Sequence, residues 1–209
     1  MIVVAILAGG LCGWVLNLLA KFLVQVAGYG DRRPRFTGKE AIWLQGVSAF
    51  LLAGGIGWIM AMLAWPAALI PSLVLVFLLL LAVIDVQYRL VLNLLIYPAL
   101  LLALVANLAI GQQSWLVILL GGLFAFGVFY ATALVRPNDL GGGDVKLATL
   151  IGVGFGFPYV LYALLSAAFL GGIVALWLRF VQNRSWKSTI PYAPFLCFGA
   201  AFVLLVVMM

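Results

Sequence analysis

Three of the five acidic side chains in this chain stand at the ends of long apolar runs, where carboxylates are rare. Asp85 ends one such run, and Asp139 and Asp144 flank a triplet of glycines. A carboxylate beside hydrocarbon is strongly destabilising unless it is paired, hydrated or protonated. An ionisable residue at the end of a membrane helix is therefore a candidate functional residue.

Two nearby carboxylates can perform acid–base chemistry, because one of them keeps a proton near neutral pH while the other stays charged. The ionised partner can deprotonate a water, and the protonated one can polarise an amide carbonyl and then protonate the leaving amine. The chain has no histidine, which excludes His general bases and Ser-His-Asp or Cys-His machinery. Cys12 and Cys197 form no Cys-x-x-Cys motif. We therefore expect no metal and no cofactor.

The elements that position these carboxylates must be membrane helices. The chain is 67% hydrophobic and only 8% charged, whereas soluble domains carry roughly 25% charged residues. A spanning helix needs about 20 apolar residues. We predict an all-α polytopic membrane protein with about eight transmembrane segments, forming a single membrane-embedded domain over residues 1–209. The predicted segments are 2–27, 42–63, 66–84, 91–110, 115–135, 145–156, 158–180 and 192–209.

The sixth segment, 145–156, is short, since it would rise only roughly 18 Å as a helix against a hydrocarbon core of about 30 Å. We predict a short crossing element, whose Gly152, Gly154 and Gly156 suit close helix packing. The first segment lacks a basic n-region and a small-residue cleavage site. It is predicted to be a retained helix and not a signal peptide.

The charges predict the orientation in the membrane. Every odd-numbered loop is basic, whereas the even loops near 64–66, 111–114 and 154–158 contain no charged residue. By the positive-inside rule the odd loops are cytoplasmic, so the three aspartates share the cytoplasmic face. Orientation explains the net charge of +6 better than a nucleic-acid partner does. The basic loop residues are Arg32, Arg33, Arg35, Lys39, Arg89, Arg136, Lys146, Arg179, Arg184 and Lys187.

Each carboxylate has a structural interpretation when it is taken alone. Asp85 would sit at a helix end and pair with Arg89, four residues on. The glycine triplet would be a hinge, with Asp144 capping a helix that begins at Val145. Asp139, after Pro137-Asn138, is favoured as a turn residue. Alternatively, the glycines allow the backbone before Asp144 to adopt conformations closed to other residues, and allow a substrate strand to approach closely.

Taken together, the motifs resemble the type IV prepilin peptidases, membrane aspartic proteases of the GxGD type. Residues 141–147 read Gly-Gly-Gly-Asp-Val-Lys-Leu, which is that family's signature. Asp85, followed eight residues later by Asn93, resembles the segment of its first aspartate, with Leu92 in place of a usual proline and Ile96 in place of a threonine. Residues 190–196 resemble its Ile-Pro-Phe-Gly-Pro-Phe-Leu, and Gly13, Asn17 and Lys21 weakly resemble its first helix.

The resemblance implies an endopeptidase in the bacterial cytoplasmic (inner) membrane. It would cleave the basic leader of type IV prepilins or pseudopilins at the cytoplasmic face, with membrane lipid as its other partner. Asp85 and Asp144 would be the catalytic pair. Gly141, Gly142 and Gly143 would shape the approach to it, with Asn93 nearby. Lys146 would meet a substrate acid or stabilise charge at the pair, or else extend to lipid headgroups.

The chain departs from the larger, bifunctional members of that family in its first loop. Only about residues 28–41, a short basic loop, stand where those members carry a long cytoplasmic loop with paired Cys-x-x-Cys motifs. N-methyltransferase activity is therefore not expected, and the chain looks like a compact, peptidase-only form.

Three other functions compete with this interpretation. Presenilin-like proteases share Gly-x-Gly-Asp, but the chain has neither their Tyr-Asp segment nor their Pro-Ala-Leu motif. A small carrier or structural membrane protein would use Asp85 and Asp144 to relay protons or bind cations, with the glycines as a hinge in a broken helix. An inactive homologue would keep only a binding role.

Overall fold

The computed structural model describes residues 14–37, 39–63, 67–110, 113–135, 140–181 and 191–208. These residues form eight helices and no strand, so the predicted all-α polytopic membrane fold is confirmed. The helices are α1 (Trp14–Tyr29), α2 (Lys39–Met62), α3 (Leu69–Tyr88), α4 (Asn93–Ile110), α5 (Trp115–Val135), α6 (Gly142–Phe155), α7 (Tyr159–Val181) and α8 (Ala193–Phe202). Asp139, predicted to be a turn residue, lies outside the described residues.

Length and composition make four of these helices, α2, α3, α5 and α7, candidates to cross a membrane. Helices α1, α4 and α8 are shorter but also apolar. A helix satisfies its own backbone hydrogen bonds, which hydrocarbon cannot do for it. Large apolar side chains also remain uncovered by protein: Trp43 and Phe50 on α2 are 76% and 77% exposed. A lipid environment accounts for such exposure, which would be costly in water.

The contacts divide the chain into two compact units. Unit 1 comprises residues 1–90 and 204–209. In it α2 packs against α3, and the packing is tight at Gly55, where an added β-carbon would lie 2.4 Å from Leu75 Cδ2. The indole of Trp58 on α2 donates a hydrogen bond to the carbonyl of Leu205, at 2.9 Å. This bond attaches the end of the chain to α2.

Unit 2 comprises residues 91–203 and is built around α6, which packs against α4, α5, α7 and α8. Helices α5 and α6 approach at Gly121 and Gly152, where an added β-carbon on either residue would lie 2.3–2.4 Å from the other's carbonyl oxygen. The predicted packing role of Gly152 is confirmed. That of Gly154 is wrong, since an added β-carbon there would meet nothing within 4 Å.

The predicted packing role of Gly156 is also confirmed, since an added β-carbon would lie 3.0 Å from Cγ1 of Val117 on α5 and closer still to the side chain of Gln113. Gly156 ends α6 with φ of 70°, a conformation that L side chains rarely adopt. Its amide donates to the carbonyl of Gly152 at 2.9 Å. The neighbouring Phe155 carbonyl accepts a bond from the side-chain amide of Gln113, at 3.2 Å. The C-terminal carbonyls of α6 therefore have partners where the helix stops.

Candidate active site

Asp85 lies in the last turn of α3 and is 6% exposed. The helix continues to Tyr88, four residues beyond the predicted end of the apolar segment, so Asp85 is held in regular helix and not in a loop. Arg89 adopts a left-handed conformation, and its amide donates to the carbonyl of Asp85 at 2.8 Å. This bond closes the helix after the aspartate. The position of Asp85 at a helix end agrees with the structural interpretation, and its burial adds a desolvated carboxyl group to that position.

Two further bonds attach the last turn of α3 to other parts of unit 1. The side-chain amide of Gln87 donates to Oδ1 of Asn17 on α1. The carbonyl of Gln87 accepts a bond from the amide of Arg35 in the first loop, at 2.9 Å. Gln87 and Asn17 also line a cavity of about 160 Å³, together with Trp14 and Lys21. The segment that carries Asp85 is thus linked to α1 and to the first loop.

Asp144 lies in the first turn of α6, which begins at Gly142 and not at Val145 as the capping interpretation required. Its amide donates to the carbonyl of Gly141 at 3.0 Å, and its carboxylate Oδ2 accepts from the amide of Gly141 at 3.2 Å. Asp144, the third residue of α6, therefore caps this helix through the bond between its carboxylate and the amide of Gly141, the residue that precedes the helix.

Burial decides the protonation of Asp144, which precedes the apolar segment 145–156. It raises the pKa of Asp144 from 3.8 to about 6, although the hydrogen bond from Gly141 acts in the opposite direction. A carboxyl with this pKa exchanges its proton close to neutral pH, as a general acid or base must.

The glycine triplet does not use the conformations that were predicted for it. Gly141 has φ of −78°, and the only described glycines with positive φ are Gly28 and Gly156. Close approach explains Gly143 instead, because an added β-carbon would lie 2.7 Å from Cβ of Val91. An added β-carbon on Gly142 would meet nothing within 4 Å. The triplet therefore combines one packed glycine with an open stretch of backbone beside Asp144.

Lys146 and Asn93, two predicted site residues, contact each other in unit 2. The ammonium of Lys146 donates to Oδ1 of Asn93, at 2.9 Å, and lies 5.1 Å from the ring centroid of Tyr97. Asn93 is the first residue of α4, so this contact joins the beginnings of α4 and α6. The cation is therefore held by an amide oxygen and an aromatic face, one turn or less from Asp144.

Tyr192 is a residue of this region that the sequence reasoning did not single out. It precedes α8, and its ring packs against Phe129 at 5.8 Å and Phe195 at 6.1 Å between centroids. Tyr192 belongs to the segment 190–196, which carries the third family motif, and that motif could have identified it from the sequence. In the described ranges, no group of three or more Cys, Asp or Glu residues could hold a metal ion.

The fold is that of a polytopic membrane protein. It has two candidate acid–base groups, the buried Asp85 at the end of α3 and Asp144 after the glycine triplet. A model of the type IV leader peptidase family matches residues 72–176, about half of the chain, so the chain belongs to that family. The family resemblance predicted from the motifs is confirmed. Both Asp85 and Asp144 fall within the matched residues.

Two relatives support the same assignment, and both are named prepilin leader peptidase/N-methyltransferase. The protein of Bacillus subtilis (strain 168) is 26% identical over 148 residues, which cover 71% of this chain and 58% of the relative. That of Pseudomonas aeruginosa (strain PAO1) is 27% identical over 133 residues, which cover 61% of this chain and 46% of the relative. The chain thus matches about half the length of these relatives. No solved structure matches it.

Proposed function

We propose that this protein is a membrane aspartic endopeptidase of the GxGD type. It removes the basic leader peptide of type IV prepilins or pseudopilins at the cytoplasmic face of the bacterial inner membrane. Asp85 and Asp144 are its catalytic pair, within a single peptidase domain over residues 1–209. Family membership supports the reaction class, and the basic odd-numbered loops support the cytoplasmic face.

The observation that carries the proposal is the state of Asp144. The carboxyl of Asp144 is partly buried in the first turn of a helix, and the resulting desolvation raises its pKa to about 6, so it exchanges a proton near physiological pH. A second carboxylate acting at the same bond would raise the proton affinity of the pair further, because two like charges repel.

The reaction follows from two carboxyl groups in opposite protonation states. The ionised aspartate takes a proton from a water, whose oxygen attacks the carbonyl carbon of the scissile amide. The protonated aspartate donates a hydrogen bond to the carbonyl oxygen, on which negative charge develops. The C–N bond then breaks, and the departing amine takes a proton from the pair, which leaves one proton on the two carboxyls as before.

The remaining site residues have supporting roles in this proposal. Gly143 lets the first turn of α6 approach Val91, and the open backbone at Gly141 and Gly142 leaves room for an extended substrate. Lys146 and Asn93 form a polar group at the start of α4 and α6 that would contact the precursor. We propose no N-methylation, since the first loop, residues 28–41, contains no cysteine.

The test is co-expression with a candidate prepilin, following the size of the precursor on gels. We expect leader removal by the wild type and none by Asp85→Asn or Asp144→Asn. Asp31→Asn is the matched control, because it removes a carboxylate outside the proposed site and should leave processing unchanged. Processing by both site variants would exclude the proposal. A proton or cation relay would instead show no cleavage by the wild type, with ion flux in liposomes that depends on the same two residues.

A further inference from the structure

Gln87 fixes the last turn of α3 through both its side chain and its main chain. Its side-chain amide donates to Oδ1 of Asn17, and the two side chains are 6% and 9% exposed. Its carbonyl accepts from the amide of Arg35 at 2.9 Å. Carbonyls in the last turn of a helix have no partner within the helix, so the first loop satisfies one that would otherwise need water.

The side chains of Gln87 and Asp85 leave the helix in different directions. Residues two apart are separated by about 200° around a helix axis. The bonds of Gln87 therefore hold the turn that carries Asp85 without occupying the direction in which the carboxylate projects. The bond from the Arg89 amide to the Asp85 carbonyl, at 2.8 Å, closes the same turn.

A buried pair of amides constrains geometry more than a pair of apolar side chains would. Apolar contacts tolerate small rotations and slides of one helix against another. A hydrogen bond weakens steeply as its distance and angle depart from the favoured values. Leaving either amide without its partner costs about 1–3 kcal/mol, so displacements of α3 against α1 are opposed at this point.

We propose that Asn17 and Gln87 are positioning residues for leader cleavage. Their buried hydrogen bond, assisted by the Arg35 amide, sets the rotation and depth of the α3 turn that carries Asp85. This inference rests on the proposed function, and it gives the short first loop a part in the reaction. It also explains why two amides occupy a buried site between otherwise apolar helices.

The test separates position from stability by replacing both amides together. Asn17→Leu with Gln87→Met removes both side-chain partners of this hydrogen bond together, so neither amide is left facing an apolar side chain and the fold should be retained. Displacing a reacting group by about 1 Å can lower a rate by about 100-fold. We expect kcat to fall by about 10- to 100-fold, with KM changed less than about threefold. Ser72→Ala, which removes a hydrogen bond at the other end of α3, should keep kcat within about twofold.

Arg35 provides a second, independent pair of variants if the double variant does not fold. Arg35→Pro removes the main-chain donor to Gln87, whereas Arg35→Ala keeps it. We expect a fall in kcat of about tenfold for the proline variant only.

The proposal is overturned if the folded double variant cleaves with the wild-type kcat, or if Arg35→Pro cleaves like Arg35→Ala. Asp85→Asn is measured alongside. Loss of cleavage in that variant together with either overturning result rejects the positioning role alone. Cleavage by Asp85→Asn would reject the proposed function itself.

Discussion

Gly143 immediately precedes Asp144 and faces Val91 at the start of unit 2, so it offers a direct test of how the site is built. The substitution Gly143→Ala would place a β-carbon 2.7 Å from Cβ and 2.9 Å from Cγ2 of Val91. Ordinary carbon–carbon contacts lie at about 3.5–4.0 Å. The first turn of α6 would have to move by about 1 Å to accommodate the new methyl group.

The size of the effect follows from a comparison with Gly142→Ala, where the added β-carbon meets nothing within 4 Å. Both substitutions gain the better helix propensity of alanine, up to about 1 kcal/mol. Only Gly143→Ala adds an overpacking cost of about 1–3 kcal/mol. The two variants should therefore differ by that cost in their free energies of unfolding.

Thermal unfolding in detergent, with cleavage of a leader peptide measured on the same samples, tests this reasoning. Gly143→Ala should unfold at a lower temperature than Gly142→Ala. It should also lose up to about 100-fold in kcat, because its shift displaces Asp144. Adding Val91→Ala should restore neither property, since Cβ of residue 91 would remain 2.7 Å away. Equal unfolding temperatures for the two glycine variants would refute the packing role of Gly143.

Three further predictions concern other parts of unit 2. Burial raises the pKa of Asp144 from 3.8 to about 6, so the folded state binds this proton more tightly than the unfolded state does. The free energy of unfolding that this difference contributes is fully present below pH 3.8 and is lost as the pH rises through 6. The stability of Asp144→Asn relative to the wild type should therefore increase between pH 4 and 6, by at most about 3 kcal/mol. Denaturation curves in which this relative stability decreases with rising pH would contradict the prediction. Lys146→Met should lower stability by less than about 1 kcal/mol, because its bond to Asn93 is exposed, and a larger loss would mean that the lysine is structural. Gly199→Ala would place a β-carbon 2.2 Å from the Ala163 carbonyl oxygen and should lower the unfolding temperature. Gly172→Ala, whose added β-carbon meets nothing within 4 Å, should not lower it. Equal unfolding temperatures for the two variants would argue against close packing of α7 on α8.

Much of the fold could be predicted from the sequence, because helices in hydrocarbon are long apolar runs separated by polar or glycine- and proline-containing breaks. The fifth run, 115–135, coincides with α5, and the short sixth run corresponds to the 14 residues of α6. The end of α3 was misplaced because hydropathy detects the apolar part of a helix and not its last polar turn. Residues 85–88 continue the helix as far as the left-handed Arg89.

The candidate site was only partly predictable. The types of Asp85 and Asp144 and their places beside apolar runs pointed to acid–base chemistry, and the motif order pointed to the family. The partner of Gln87 was not predictable, since Asn17 is 70 residues away and the bond depends on how two helices pack. The reason for Gly143 was also missed, because a close approach to Val91 is a tertiary contact that leaves no local pattern.

Cleavage of a synthetic precursor peptide by purified protein in lipid nanodiscs tests the central claim, that both carboxylates carry out the reaction. Mass spectrometry of the products would identify the bond that is cut, and the rate would be compared among wild type, Asp85→Asn, Asp144→Asn and the Asp31→Asn control. We predict one cut at the junction of the basic leader and the apolar segment, and a loss of about 10³-fold or more in kcat for each site variant alone. A rate within tenfold of the wild type in either site variant would contradict the claim.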